Sequence, residues 1–265
     1  MTHSGEPASP TLYSGTMLTI GPGASFPDTR WTMIVAAGKE TPGREEALNT
    51  LCQTYWYPVY AYIRRRGHNF DQAPDLTQEF FTRLLTGSFL ERADPEKGRF
   101  RGFLLNAVRF FLSDERDRAT ALRRGGKELP FSLDDAENRY LREPSHDETP
   151  ERIFERRWAR AVLDRVVQAL RDEFVRHGRL DDFNQLKGYL VGQSNVPYAE
   201  LAPKLGITES ALKSGIHRFR KRYRELLRAE VAATVSDPAE VDAELRFLLQ
   251  AVIVKRAGLP SMTSF

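Results

Sequence analysis

Apolar residues recur three or four apart through most of this chain, the spacing of one face of an α-helix. Between residues 44 and 66, Leu48, Leu51, Cys52, Tyr55, Val59, Tyr62 and Ile63 share a broad face, and Pro58 is expected to kink or divide that helix. Residues 72–85 carry Leu76, Phe80, Phe81, Leu84 and Leu85 on one side, and residues 100–118 carry Phe103, Leu104, Ala107, Val108, Phe111 and Leu112. A short candidate lies at residues 31–38. Thr149 and Pro150 have the chemistry of an N-cap and a first helical residue. Behind them Phe154, Trp158, Val162, Val166, Leu170 and Phe174 recur every fourth residue. A further segment covers 181–191. Residues 198–228 then read as a helix, a tight Gly206 turn and a longer helix striped by Leu212, Ile216, Phe219, Tyr223 and Leu226. Asp237-Pro238-Ala239-Glu240 spells a capping box opening a last helix, with Val241, Leu245, Leu248, Leu249 and Val252 on one side. Period-two alternation, internal repeats and heptads are lacking, so the fold class is all-α.

The breaks between these patterns suggest the organisation. Residues 1–28 are rich in Gly, Pro, Ser and Thr and read as a disordered tail. Residues 29–122 hold helices enough for a first domain. From 123 to 149 the text turns polar: Asp134, Asp135, Glu137, Glu143, Asp147 and Glu148 oppose only Arg139 and Arg142 between 133 and 150, the composition of a flexible acidic linker. A second helical domain covers 150–232, and a C-terminal helical extension covers 233–265. That last helix is expected to dock on the second domain or on a partner.

Composition narrows the chemistry. With 39 Lys and Arg against 36 Asp and Glu in 265 residues, the net charge is only +3, so the distribution of charge decides the partner rather than its sum. Cys52 is the single cysteine, which excludes an internal disulfide and a cysteine-based metal cluster. No apolar run approaches a membrane span, and the first residues lack a signal peptide's basic and apolar regions, so a cytoplasmic protein without membrane attachment is expected. The five histidines are scattered and no Gly-rich phosphate loop or nucleophile motif occurs, so neither a metal nor a cofactor is expected and the chain does not read as an enzyme.

The charge is concentrated in three places. From Lys213 to Arg228 there are seven Lys and Arg against one acid, Glu225. A short helix, a Gly turn, Thr208 as N-cap and a basic helix with one apolar stripe form the pattern of a helix-turn-helix, whose second helix can enter a DNA major groove. A second cluster, KGRFRGFLLNAVRFFLSDERDR from Lys97, alternates basic and aromatic residues at a loop–helix junction, where cations can hold a backbone and rings can stack on unpaired bases. Phe103 and Phe111 fit better as core. The third is DLTQEFF from Asp75. Asp75 and Glu79, one turn apart, suit a charged docking face for a basic partner better than acid/base chemistry, because nothing nearby in sequence raises one carboxyl selectively.

In this order and at these separations the three segments resemble the RNA polymerase sigma factors of the extracytoplasmic-function (ECF) group, within the sigma-70 family, over roughly residues 29–232. The resemblance implies a region 2-like helical bundle that binds core polymerase and the −10 element, and a region 4-like helix-turn-helix domain that reads the −35 element. Carried over by position, Asp75, Gln78 and Glu79 would contact the polymerase. Arg99, Phe100, Arg101, Asn106 and Arg109 would lie at the −10 strand. Thr208, Ser210, Lys213, Ser214, His217, Arg218 and Lys221 would face −35 DNA. The implied partners are core RNA polymerase, through the clamp of its β′ subunit and the flap of its β subunit, promoter DNA, and an anti-sigma factor or a regulatory kinase. The long linker, the tail and the C-terminal helix depart from the group's pattern. A stand-alone helix-turn-helix regulator is the alternative: it would bind its operator without polymerase.

Overall fold

The computed structural model describes residues 44–86, 99–119, 133–141, 148–190, 196–235 and 237–253. The tail, the short candidate at 31–38 and most of the 123–149 segment lie outside the described residues. Among the described residues every regular element is helical and none is a strand, so the fold is all-α. In chain order the α-helices are α1 (Arg44–Arg65), α2 (Gln72–Thr86), α3 (Phe100–Ala119), α4 (Leu133–Leu141), α5 (Pro150–Arg176), α6 (Leu180–Leu186), α7 (Tyr198–Lys204), α8 (Glu209–Ala232) and α9 (Val241–Val252). Single 3-10 turns at Lys187–Tyr189 and Pro238–Glu240 follow α6 and precede α9.

Helix α1 runs unbroken through Pro58, against the expected division. Proline removes the N–H that the Thr54 carbonyl would accept. Burial of Leu51, Tyr55, Trp56, Val59, Tyr60, Tyr62 and Ile63 along the same helix outweighs that loss. The start of α5 follows the sequence: Thr149 Oγ1 accepts from the Arg152 N–H at 3.3 Å, and Pro150 opens the helix.

The chain divides into two compact units, and the boundaries fall inside α5 and α8 rather than in the acidic segment. One unit is built from the described residues between Val167 and Leu226. Its centre is three rings: Phe174 and Phe219 meet edge-on at 5.4 Å, and Phe183 lies 6.0 Å from both. Leu170, Leu186, Leu201, Leu212 and Ile216 are buried in the same unit. Glu173, buried, accepts from Arg222 at 2.6 and 3.0 Å. The Arg222 guanidinium is thereby held above its ordinary range, an effect of that hydrogen bond first.

The other unit holds α1 to α4, the first part of α5, the end of α8 and α9. Trp158 Nε1 donates to Tyr55 Oη at 3.2 Å, joining α5 to α1, and Tyr62 meets Phe154 edge-on at 6.5 Å. Phe80 of α2 packs on Phe111 of α3 at 5.6 Å. Cys52 is half-buried, and burial pushes its thiol up to about 11.

Helix α4 lies in the stretch expected to be a flexible linker. Its Ala136 is buried, and Glu137 accepts from Tyr60 Oη at 2.6 Å and from Arg64 Nη2 and Nε at 2.6 and 3.0 Å. Arg139 covers the Tyr57 ring at 4.4 Å, while Arg64 covers Tyr140 at 4.8 Å. Burial opposes ionisation of Glu137. The hydrogen bonds from Arg64 and Tyr60 together outweigh it, and the carboxyl titrates below its usual range. A depressed carboxyl contributes its full stability above the unfolded value of about 4.3 and loses it as pH falls through the lower folded value. Amide protection factors over residues 133–141 are therefore expected to stay high at neutral pH and to fall only below about pH 4. Glu137→Gln is expected to release α4 already at neutral pH, at a cost of about 1–2 kcal/mol. Unchanged exchange in that variant would show that Ala136 and the cation–ring contacts suffice.

Helix α9 buries Val241, Glu244 and Leu248, whereas Leu249 is half exposed, so the face inward is not the fully apolar one. Asp237 caps the preceding turn by accepting from the Ala239 N–H at 2.8 Å. The α9 contacts include Trp158 of α5, Arg228 near the end of α8 and the start of α3, all within the same compact unit.

Candidate nucleic-acid interface

The turn between α7 and α8 is fixed by backbone chemistry. Gly206 adopts φ +64°, the left-handed conformation that an L side chain disfavours. Its N–H donates to Pro203 O at 3.1 Å, and the Ile207 N–H reaches back to Ala202 O at 3.0 Å. That pair of bonds is a Schellman motif, which satisfies the last carbonyls of α7 and reverses the chain. Thr208 Oγ1 then accepts from the Ala211 N–H at 3.2 Å and caps α8.

On α8, Leu212, Ile216, Phe219 and Leu226 are buried and Tyr223 is half-buried, as the periodicity predicts. Thr208, Ser210, Lys213, Ser214, His217, Arg218 and Lys221 are all exposed, and those of them on α8 lie along its solvent side. Not every cation of this helix is available to a ligand. Arg220 Nε donates to Tyr189 O at 2.9 Å, and Arg222 is tied to Glu173. Lys221 lies 4.0 Å from Glu225, a loose pair on the surface.

The basic cluster at α3 divides in two. Asn106 and Arg109 are exposed on the helix surface. Phe100, by contrast, is fully buried: its ring meets Tyr55 edge-on at 5.2 Å, and its N–H donates to Thr234 O at 3.4 Å. Arg99 and Arg101 are engaged by α9. Arg101 Nε donates to Glu244 Oε1 at 2.7 Å, and Arg99 Nη1 lies 2.9 Å from Glu244 Oε2. The structure thus separates Arg99, Phe100 and Arg101 from Asn106 and Arg109 in exposure.

Phe110, not among the residues expected at the −10 strand, is 71 % exposed between Asn106 and Ser113 on the helix surface. The signal was the helix phase: with Leu104, Val108, Phe111 and Leu112 inward, position 110 must point out. On α2, Asp75 and Glu79 are exposed and Gln78 is half-buried. Glu79 accepts from Arg83 at 2.7 Å, and Arg83 also reaches Glu115 at 2.6 Å and Asp114 at 3.4 Å. The acidic edge of α2 is thus partly neutralised by its own chain.

Among the described residues no group of three His, Cys, Asp or Glu could hold a metal ion, and no helix is long and apolar enough to cross a membrane. No family model matches the chain, and no solved structure matches it. The chain is 28 % identical over 169 residues to the ECF RNA polymerase sigma factor SigE of Mycolicibacterium smegmatis, a match covering 64 % of this chain and 57 % of that relative. It thus spans little more than half of the relative's length.

Proposed function

We propose that this protein is a dissociable initiation subunit of RNA polymerase that binds the core enzyme, reads −35 and −10 promoter elements and helps melt the latter. The observation that carries the proposal is the solvent side of α8, where Lys213, Ser214, His217, Arg218 and Lys221 stand exposed behind a helix start fixed by Gly206 and Thr208. Long cations there suit phosphates, and the hydroxyl and imidazole groups between them suit base edges. The short α7, the Gly206 turn and the basic α8 support a helix-turn-helix reading. The similarity to an ECF sigma factor supports the same assignment.

The second DNA surface is proposed on α3. Asn106, Arg109 and Phe110 combine a polar group, a cation and an exposed ring, the set that holds a single strand by phosphate contact and stacking. Phe110 takes the stacking role there, since Phe100 is buried in the core. Arg99 and Arg101, at the start of α3, are held by Glu244 of α9. Asp75, Gln78 and Glu79 on α2 are proposed as the docking edge for the clamp of core polymerase. Every role proposed here is binding and positioning, and none is catalytic.

The test is a pull-down of the purified chain with bacterial core RNA polymerase, with Asp75→Ala/Glu79→Ala beside it. One-to-one binding is expected, with the variant weakened about tenfold, or 1.4 kcal/mol. Tight binding to duplex DNA without any binding to polymerase at low salt would favour a stand-alone helix-turn-helix regulator instead.

A further inference from the structure

Glu244 on α9 has no exposed side-chain surface, yet its neighbours on the inward face, Val241 and Leu248, are apolar. Both of its oxygens are taken by guanidinium groups. Arg101 Nε donates to Oε1 at 2.7 Å, and Arg101 Nη2 and Arg99 Nη1 lie 3.3 and 2.9 Å from Oε2. Glu240 stands 3.5 Å from Arg99, and Glu155 of α5 stands 3.3 Å from Arg101. The Arg101 guanidinium also lies 3.7 Å over the Phe247 ring and 5.4 Å from that of Trp158.

A leucine at position 244 would dock α9 without desolvating a charge. A buried carboxylate between two guanidiniums contributes little net stability and is better suited to fixing one arrangement or to a switch. Two arginines gripping the two oxygens of one anion also form the geometry of phosphate recognition, and a ring against a guanidinium face is the geometry of base contact. Helix α9 therefore presents to Arg99 and Arg101 the chemistry of a nucleic-acid strand, an anion with a flat ring beside it.

We infer that α9 is an internal occupant of the basic surface at the start of α3, seated where a nucleic-acid strand would bind, and that Arg99 and Arg101 reach phosphate only once it is displaced. This rests on the proposed function in one respect, that the α3 surface holds a strand. The juxtaposition of Glu244 with Arg99 and Arg101 is independent of it.

The experiment measures anisotropy of a fluorescein-labelled single-stranded DNA oligonucleotide with the full chain, with Glu240→Gln/Glu244→Gln, and with that pair combined with Arg99→Ala/Arg101→Ala. The glutamines keep shape and the apolar contacts of Val241 and Leu248 while removing the charge that holds the two arginines. Amide exchange over 241–252 and 51–63 separates release of α9 from general unfolding. The expected result is faster exchange in 241–252 alone and about tenfold tighter DNA binding, cancelled by the arginine substitutions. Asp164→Asn/Asp172→Asn, exposed and matched in charge, is expected to give less than about twofold. If the glutamines leave α9 in place, Leu248→Asp releases it through the apolar contact instead. Released α9 with unchanged DNA affinity, or a gain that survives loss of both arginines, overturns the inference. The two proposals fail separately. A chain that binds core polymerase but shows no gain keeps the initiation role and loses the internal occupant. A chain that gains DNA affinity on release of α9 but ignores polymerase does the reverse.

Discussion

Phe219→Ala is expected to destabilise the Val167–Leu226 unit by about 3–5 kcal/mol, the range for removing a fully buried aromatic ring from a packed core. Phe219 is 1 % exposed and meets Phe174 edge-on at 5.4 Å and Phe183 at 6.0 Å, so its loss leaves two rings facing a void. The unit is small, and whole domains are stable by only about 5–15 kcal/mol. The loss should therefore leave much of it unfolded near body temperature. Thermal unfolding followed by circular dichroism, with amide exchange to localise it, gives the value. The same substitution should abolish DNA binding by α8 without touching an exposed residue, because the ring holds α8 against α5 and α6. A cost below about 1 kcal/mol would mean that the neighbouring chains collapse into the space, and that the three rings are not the unit's centre.

The largest functional effect is expected from Lys213→Glu/Arg218→Glu. Both residues are exposed on the solvent side of α8, so the reversal should leave the fold intact while replacing two attractive phosphate contacts with repulsive ones. Affinity of the full chain for duplex DNA at low salt should fall about a hundredfold, and the slope of log affinity against log salt should become shallower by about two. Arg220→Ala provides the contrast. Its guanidinium is committed to the Tyr189 carbonyl, so its loss should lower stability and leave the salt slope nearly unchanged. If Arg220→Ala shifted the slope as strongly as the double reversal, the DNA surface would lie further round the helix than proposed.

Local chemistry was readable from sequence wherever neighbours in the chain decide the outcome. Thr149 with Pro150, Gly206 and Thr208 each act within four residues, and each sits in the structure as its chemistry requires. The stripe of α8 likewise follows from periodicity alone. Features set by distant partners were not readable. Helix α4 exists where composition suggested a solvated linker, because Tyr60 and Arg64, more than seventy residues earlier, converge on Glu137. Pro58 stays inside α1 because packing on both sides outweighs one missing hydrogen bond. Phe100 and Phe110 have the same composition signal and opposite exposure, and only the phase of α3 separates them. Glu244 was invisible for a related reason. A carboxylate in an amphipathic pattern is read as solvent-facing, and its burial depends on two arginines that lie far from it in sequence.

Cys52 carries a practical consequence. Burial pushes its thiol up to about 11, so far less of it is the reactive thiolate at neutral pH than for an ordinary cysteine. A maleimide dye offered to a second cysteine placed on the solvent side of α8 or α9 will therefore react there first, with the native sulfur left in place. A single environment-sensitive dye, or a dye pair on two added cysteines, can therefore be placed on this sequence without first replacing Cys52.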